Sequence, residues 1–295
     1  MAVQATTDPS LVLTARLGGT VAARRRRKRN WPLIIGLLLL LIIAVLCIGA
    51  PLFTPYSPIF QDLLNPGVPP FSPGHLLGTD APLGRDTLSR LLYGGQVDLL
   101  IGFGGTGVTI VVGTIIGLIS GYFGGWLDAV LMRIVDVFFA FPFLVLVLAI
   151  VVTLGQGLFN FFIAIWAVGW VSYARIIRGE TLVARQQDYV LAARALGYGR
   201  LRIMLRHILP NVISAALIFS MVDAVGNILL GAALGYLGLG VPEPNPEWGV
   251  MISDGQNYMV TAWWVPTIPG LAIVLVGVAL SLIGDGLADI LRPRN

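Results

Sequence analysis

Lysine is nearly missing from this sequence. Lys28 is the single one, and it sits within a run of arginines at 24–29. No glycine-rich loop precedes it, so there is no Walker A lysine to hold nucleotide phosphates. Histidine and cysteine are almost as scarce, with two and one respectively. His75 and His207 are far apart and Cys47 is alone, which leaves too little for a multi-ligand metal site and excludes an internal disulfide. Neither H-E-x-x-H nor G-x-S-x-G occurs, which removes two common hydrolase signatures. Charge is thin as well. Asp, Glu, Lys and Arg make up 12% of the residues against 56% hydrophobic, and the mean hydropathy of +0.85 lies outside the range of ordinary soluble domains.

What the sequence has instead is a series of long apolar runs. Runs of about 20 residues cross a hydrocarbon core as helices, and stretches such as GLLLLLIIAVLCI do not alternate as barrel strands do. Six spans are expected, at 31–53, 99–122, 129–154, 159–174, 211–239 and 264–290. The first is longer than a signal-peptide apolar region and lacks a small-x-small cleavage site, so it reads as a retained anchor, with Cys47 as a small lipid-facing or packing residue. Residues 54–98 form a Pro-rich loop in which Asp86 is expected to cap a short amphipathic helix, TLSRLLYG. Leu88, Leu91 and Leu92 of that helix are expected on the membrane surface. Pro142 falls inside the third span, near Arg133 and Asp136.

The basic residues are clustered. Of 19 Lys and Arg, seven lie before residue 30, seven lie between Arg175 and Arg206, and Arg292 and Arg294 sit at the C-terminus. Basic clusters flanking spans mark cytoplasmic loops, which fits this context better than nucleic-acid binding. Six spans then place both termini and the 175–206 region on the cytoplasmic side, with 54–98, 155–158 and 240–263 outside. In the second span Gly105, Thr109, Gly113, Gly117 and Gly121 recur every four residues, a smooth stripe suited to close helix packing. Gly102, Gly104 and Gly107 fit G-x-G-x-x-G, but without a preceding strand and a soluble βαβ unit the glycines read as helix packing.

DYVLAARALGYGRLRIMLRHILPN, at 188–211, combines arginines with the Ala, Leu and Ile of a packed helix. Asp188 is expected to N-cap a short helix that Gly197 ends in a left-handed conformation, and a second helical piece leads to Pro210. Ala192, Ala193 and Ala195 are expected to let another surface come close. An amphipathic loop held to anionic lipid is the plainer reading of the pattern.

This block resembles the EAA loop of bacterial ABC importer permeases. Ala192, Ala193, Gly197, Leu209 and Pro210 match at the family spacing, whereas Leu191 stands at the Glu position and His207 at a usual Ile position. HLLGTDAPLGRDTLSRLLYG, GYFGGWLDAVLMRIVDVFFAFP, GYLGLGVPEPNPEWG and IPGLAIVLVGVALSLIGDGLAD are similar to the second permease subunit of dipeptide/oligopeptide-type importers. The likeness covers residues 30–292, and Gly231 departs from it where an acidic residue is usual. It implies an all-α membrane protein with six transmembrane helices, of the type I ABC importer permease fold, with cytoplasmic coupling helices. The chain then divides into a basic cytoplasmic tail (1–30), a first transmembrane anchor (31–53), an extracytoplasmic loop with an interfacial helix (54–98), a five-helix permease core (99–290) that includes the coupling loop 176–210, and a cytoplasmic C-terminus (291–295).

The resemblance further implies that Asp188, Leu191, Ala192, Ala193, Leu196, Gly197 and Pro210 belong to the ATPase-coupling loop. The implied partners are a second homologous permease, one or two ABC ATPase subunits that bind ATP and Mg, an extracytoplasmic substrate-binding protein and the lipid bilayer of the bacterial inner membrane. This chain itself is expected to bind no cofactor, no metal and no nucleic acid, and to catalyse nothing. Gly105, Gly113, Gly117 and Gly121 are the expected packing stripe. Asp223 and Asn227 share a helix face and are candidate polar residues of the pathway, with a structural partner across the interface an equal reading for Asp223. Asp285 and Asp289 are expected to pair with cytoplasmic arginines. A rival of another class is a secondary transporter or channel that dimerises through the glycine stripe. Transported solutes of similar permeases include peptides, nickel and glutathione.

Overall fold

The computed structural model describes residues 29–291. The basic stretch up to residue 28, together with Arg292 and Arg294, lies outside the described residues. Among the described residues the secondary structure is helical, with two isolated bridges (Ser72 to His75 and Thr79 to Asp86) and no strand.

Helix α1 (Trp31–Ile48) is apolar all round and buries only Gly36 and Cys47, as expected of a helix bathed in lipid. Cys47 packs beside Gly95, and its carbonyl accepts a hydrogen bond from Gln96 at 2.7 Å. The expected anchor stops at Ile48 because Gly49 and Pro51 interrupt it, and a single turn, α2 (Ala50–Phe53), follows.

Helix α3 (Thr87–Phe123) runs unbroken for 37 residues. Asp86 caps it as expected, accepting the Ser89 N–H at 2.8 Å. The separate surface helix does not exist, and Leu92 is buried. Gly94 and Gly95 resemble a break in sequence but are packing positions, because a Cβ on Gly95 would lie 2.8 Å from the Trp248 ring. The expected third span divides at Ala140–Pro142 into α4 (Gly125–Phe139) and α5 (Phe143–Leu154), bent by 82°. Proline disfavours helical geometry in the residue before it and cannot donate to the preceding turn.

Helix α6 (Leu158–Ala184) continues well past the expected end at residue 174. Arg175 pairs with Asp136 at 2.8 Å and stacks on Phe139, while Arg178 forks onto both oxygens of Asp128 at 2.5 and 2.7 Å. Long basic side chains placed this way keep their charges at an interface while the helix goes on. Two short elements, α7 (Asp188–Ala195) and α8 (Arg200–Ile203), lead through a π-helical turn at Met204–Ile208 into α9 (Leu209–Tyr236). Helix α10 (Trp248–Gly255) precedes the last long helix, α11 (Trp264–Leu291). Among the described residues, five helical runs are long and apolar enough to cross a membrane, or six when α4 and α5 count as one broken span.

Close approach fixes the α3–α6 pair. A Cβ on Gly113 would lie 2.4 Å from the Trp170 carbonyl oxygen, and one on Gly117 would lie 2.5 Å from that of Ala174. Gly121 meets Thr181, and Gly105 faces Asn227 and Ile165. The stripe is thus consumed inside the chain, which removes the surface on which dimerisation through it depended. Gly102 and Gly104 pack against Ile228 and Phe162.

Candidate functional site: the 188–210 loop and the polar clusters of the helix bundle

The 188–210 segment has two faces. Val190, Ala193, Ile203, Met204 and Ile208 are buried in one cluster with Tyr122 of α3 and Tyr173 and Ile177 of α6. The opposite face exposes Leu191, Leu196, Tyr198, Leu201 and Leu205, with Leu196 73% and Leu201 64% accessible. Arg194 and Arg202 lie over the rings of Tyr122 and Tyr198 at 5.7 and 5.5 Å. Gly197 has φ +77. Its N–H donates to Arg194 O at 2.9 Å and the Tyr198 N–H donates to Ala193 O at 3.1 Å, the two bonds of a Schellman ending.

Two expectations for this loop change. Asp188 is the first helical residue and Gln187 occupies the cap position without a side-chain bond. The acid therefore acts only as a charge in the first turn, where the helix dipole favours it. Ala193 points inward with Val190, so only Ala192 and Ala195 of the three alanines stay on the open side. Pro210 opens the first turn of α9 and is exposed.

Behind the loop, midway along α9, lies a polar cluster. Oδ2 of Asp223 accepts the Tyr173 hydroxyl at 3.0 Å and the Thr106 hydroxyl at 3.1 Å, and the Asn227 amide lies 3.4 Å away. Asn227 donates to Thr106 Oγ1 at 3.0 Å. Asp223 and Asn227 are brought together as their spacing required, and α3 and α6 supply the other members. Asp285 and Asp289 are exposed and form no ion pair among the described residues.

Two clusters at the other end of the bundle were not anticipated. In the first, Arg85 and Arg90, each 2% exposed, donate to Oδ2 of Asp254 at 2.7 and 3.1 Å, and Arg85 also forms a close ion pair with Asp80. Burial raises the Asp254 carboxyl above its ordinary value despite the opposing pull of both arginines. The second cluster joins Asp98 of α3 to Glu247, the cap of α10. Glu247 accepts the N–H groups of Gly249 and Val250 at 2.7 and 2.9 Å, and Asp98 accepts the Trp248 N–H at 3.0 Å. Both carboxyls are buried, 0% and 1% exposed, and Oδ1 of Asp98 has no hydrogen-bond partner. Burial favours the neutral form of Glu247.

That pair carries a pH dependence. Burial raises Glu247 above its ordinary 4.5, so the folded protein holds a proton that the unfolded chain has released. The contribution is complete below the ordinary value and is lost as pH climbs through the raised one. The thermal midpoint of the purified protein is therefore expected to fall as pH rises across this window, and Asp254 acts with the same sign. Asp98→Asn, whose amide donates to Glu247 without a titrating proton, should flatten the slope. A melting profile that Asp98→Asn leaves unchanged would show that the buried acids do not set the slope.

The fold and these clusters can be set beside known proteins. Residues 113–295 match the model of the binding-protein-dependent transport system inner membrane component, and residues 21–70 match the N-terminal TM domain of oligopeptide transport permease C. The oligopeptide transport system permease protein OppC of Haemophilus influenzae is 38% identical over 92% of this chain and 88% of its own length. The di/tripeptide transport system permease protein DppC of Pseudomonas aeruginosa is 41% identical over 88% and 87%. The glutathione transport system permease protein GsiD of Pectobacterium atrosepticum is 39% identical over 92% and 89%. Among solved structures, an inward-facing MetNI methionine ABC transporter matches with a TM-score of 0.57 at 18% identity, over 69% of this chain and 97% of that one, a likeness of fold. The descent of the whole chain agrees with its helical architecture: it belongs to the binding-protein-dependent transport system inner membrane components, and is a multi-pass permease subunit of an ABC importer.

Proposed function

We propose that this subunit forms half of the pathway of a bacterial peptide importer, and that the 188–210 loop is where an ATPase subunit grips it. The observation that carries the reading is the two-faced loop. One face is packed against α3 and α6, while the other exposes Leu191, Leu196, Leu201 and Leu205 among the described residues. Apolar side chains grouped on an ordered surface mark a contact for another protein.

Peptides are the solute class of the OppC and DppC relatives, which are similar over nearly all of this chain. A second permease completes the pathway, one or two ATPase subunits bind ATP and Mg, and an external binding protein delivers the solute. Lys28, the sole lysine, stands among arginines, so hydrolysis is left to the partner. The basic 175–206 region and both termini lie in the cytoplasm of a cell bounded by this inner membrane. Closure of the ATPases moves the loop, and α9, joined to it through the π-helical turn, transmits the shift to the spans.

Leu201→Glu and Gly197→Val test the grip. Valine at φ +77 is strained, and a carboxylate at 201 adds charge to an exposed apolar face. Co-purification of the ATPase subunits is expected to fall about tenfold in each variant, with ATP-driven peptide uptake lost and the melting midpoint of the permease within a few degrees of wild type. Full co-purification and normal uptake in both variants would show that the loop is not the docking element.

A further inference from the structure

Resting on the peptide-importer reading, we propose that Asp223 is a way-station for the cationic end of the solute: its free Oδ1 receives the α-ammonium of a peptide in transit. Three features of the site support this. First, the two carboxylate oxygens differ. Oδ2 accepts hydroxyls from α3 and α6, whereas Oδ1 accepts no hydrogen bond among the described residues, and no arginine pairs with the group. Second, Asp223 is half-buried and lies at the middle of the 28-residue α9, about 21 Å of helix from the loop at its start. An acid at that depth marks a pathway or an ion partner. Third, the surface beside it is open. Gly226 on α9 and Gly107 on α3 have no neighbour within 4 Å of a Cβ position, and Val222 and Phe103 are exposed around them. A half-buried carboxylate attracts a compact ammonium more strongly than a fully exposed acid would.

The chemistry suits a carrier that reads peptides without reading their side chains. A free α-ammonium is common to peptides of any sequence. The geometry also favours a transient ligand over a permanent partner. The acceptor rides on α9, which continues into the 188–210 loop, while its hydroxyl donors ride on α3 and α6. Displacing α9 along its neighbours changes how many donors reach Oδ2 and hence how much charge Oδ1 presents. Affinity then differs between the two arrangements, which is the condition for a solute to be taken on one side and released on the other.

The assembled transporter, purified without its binding protein, is exposed to millimolar tri-alanine bearing a diazirine on its C-terminal side chain and irradiated. Labelling of α9 near Asp223 is expected, with free tri-alanine competing it away and N-acetyl-tri-alanine failing to compete. Asp223→Asn should reduce the labelling about tenfold and Asp223→Glu should keep it, with the second permease co-purifying in wild-type amounts. Equal competition by the acetylated peptide would overturn the proposal without recourse to any variant. Loss of the second permease from Asp223→Asn would overturn it too, by showing that Asp223 pairs across the subunit interface. Tri-alanine uptake by wild-type proteoliposomes supplied with the binding protein separates the two levels. Uptake without Asp223-dependent labelling refutes only the site, whereas absence of uptake refutes the peptide reading beneath it.

Discussion

Asp254→Leu is expected to lower the thermal midpoint of the purified permease by on the order of 10 °C. The carboxylate is the shared acceptor of Arg85 and Arg90, both almost wholly buried, and Arg90 already has one nitrogen, Nη1, without a partner. Removing Asp254 leaves Arg90 with no acceptor while Arg85 keeps Asp80. Stranding one member of a buried ion pair costs roughly 3–5 kcal/mol, and a domain of this size loses a few degrees per kcal/mol. The damage should be repairable. Arg90→Met combined with Asp254→Leu replaces an unpaired charge by apolar packing, and most of the midpoint should return. If Asp254→Leu melts like wild type, or if the double variant is worse than the single one, the cluster is not the clamp that ties α10 to the start of α3.

Gly113→Val and Gly117→Val together are expected to rival that loss and to lower the yield of folded protein sharply. Each new Cβ would fall about 2.4–2.5 Å from a carbonyl oxygen of α6, too close for any rotamer to relieve, so α3 and α6 must separate. Overpacking of this kind costs about 1–3 kcal/mol per site. Separation also strips Tyr173 and Ile177 from the cluster on which the 188–210 loop rests. Gly179→Ala is the internal control, because nothing lies within 4 Å of that position on the same α6 helix. It should be neutral or slightly stabilising, since alanine favours helix by up to about 1 kcal/mol over glycine. The measurement is the monodisperse fraction after detergent extraction, followed by size-exclusion chromatography. A normal profile for the double valine variant would show that the stripe is not a tight contact.

The parts of this architecture that repeat locally could be read from the sequence. Long apolar runs located the spans, a four-residue recurrence located the glycine stripe, and Asp86 and Gly197 announced a helix start and a helix stop. The parts made by distant residues could not. Asp98 and Glu247 lie 149 positions apart and Arg90 and Asp254 lie 164 apart, and no periodicity joins them. A weaker signal was present, since Asp98 and Arg90 are charges inside or beside a helix that is otherwise apolar, and such charges require a partner. The alanines of the loop teach a narrower lesson. Composition suggested three small residues facing one neighbour, but a helix turns, and only Ala193 shares the inward face with Val190 three residues earlier. The expected surface helix and second span are one helix, Thr87–Phe123, and Trp248, a residue distant in sequence, lies against Gly95 at their junction.

The π-helical turn at Met204–Ile208 sets a counting rule for the whole device. It lies between the short helices α7 and α8 and the helix that bears Asp223, so it fixes the rotational phase between them. A helix turns by about 100° for each residue. One residue added or removed between Gly199 and Pro210 would swing Asp223 away from Tyr173 and Thr106 unless the turn itself relaxed to absorb the change. Under the docking proposed above, the outer face of the loop is free to vary in side chain with its partner. Its length is not, because the linkage is timed in whole residues.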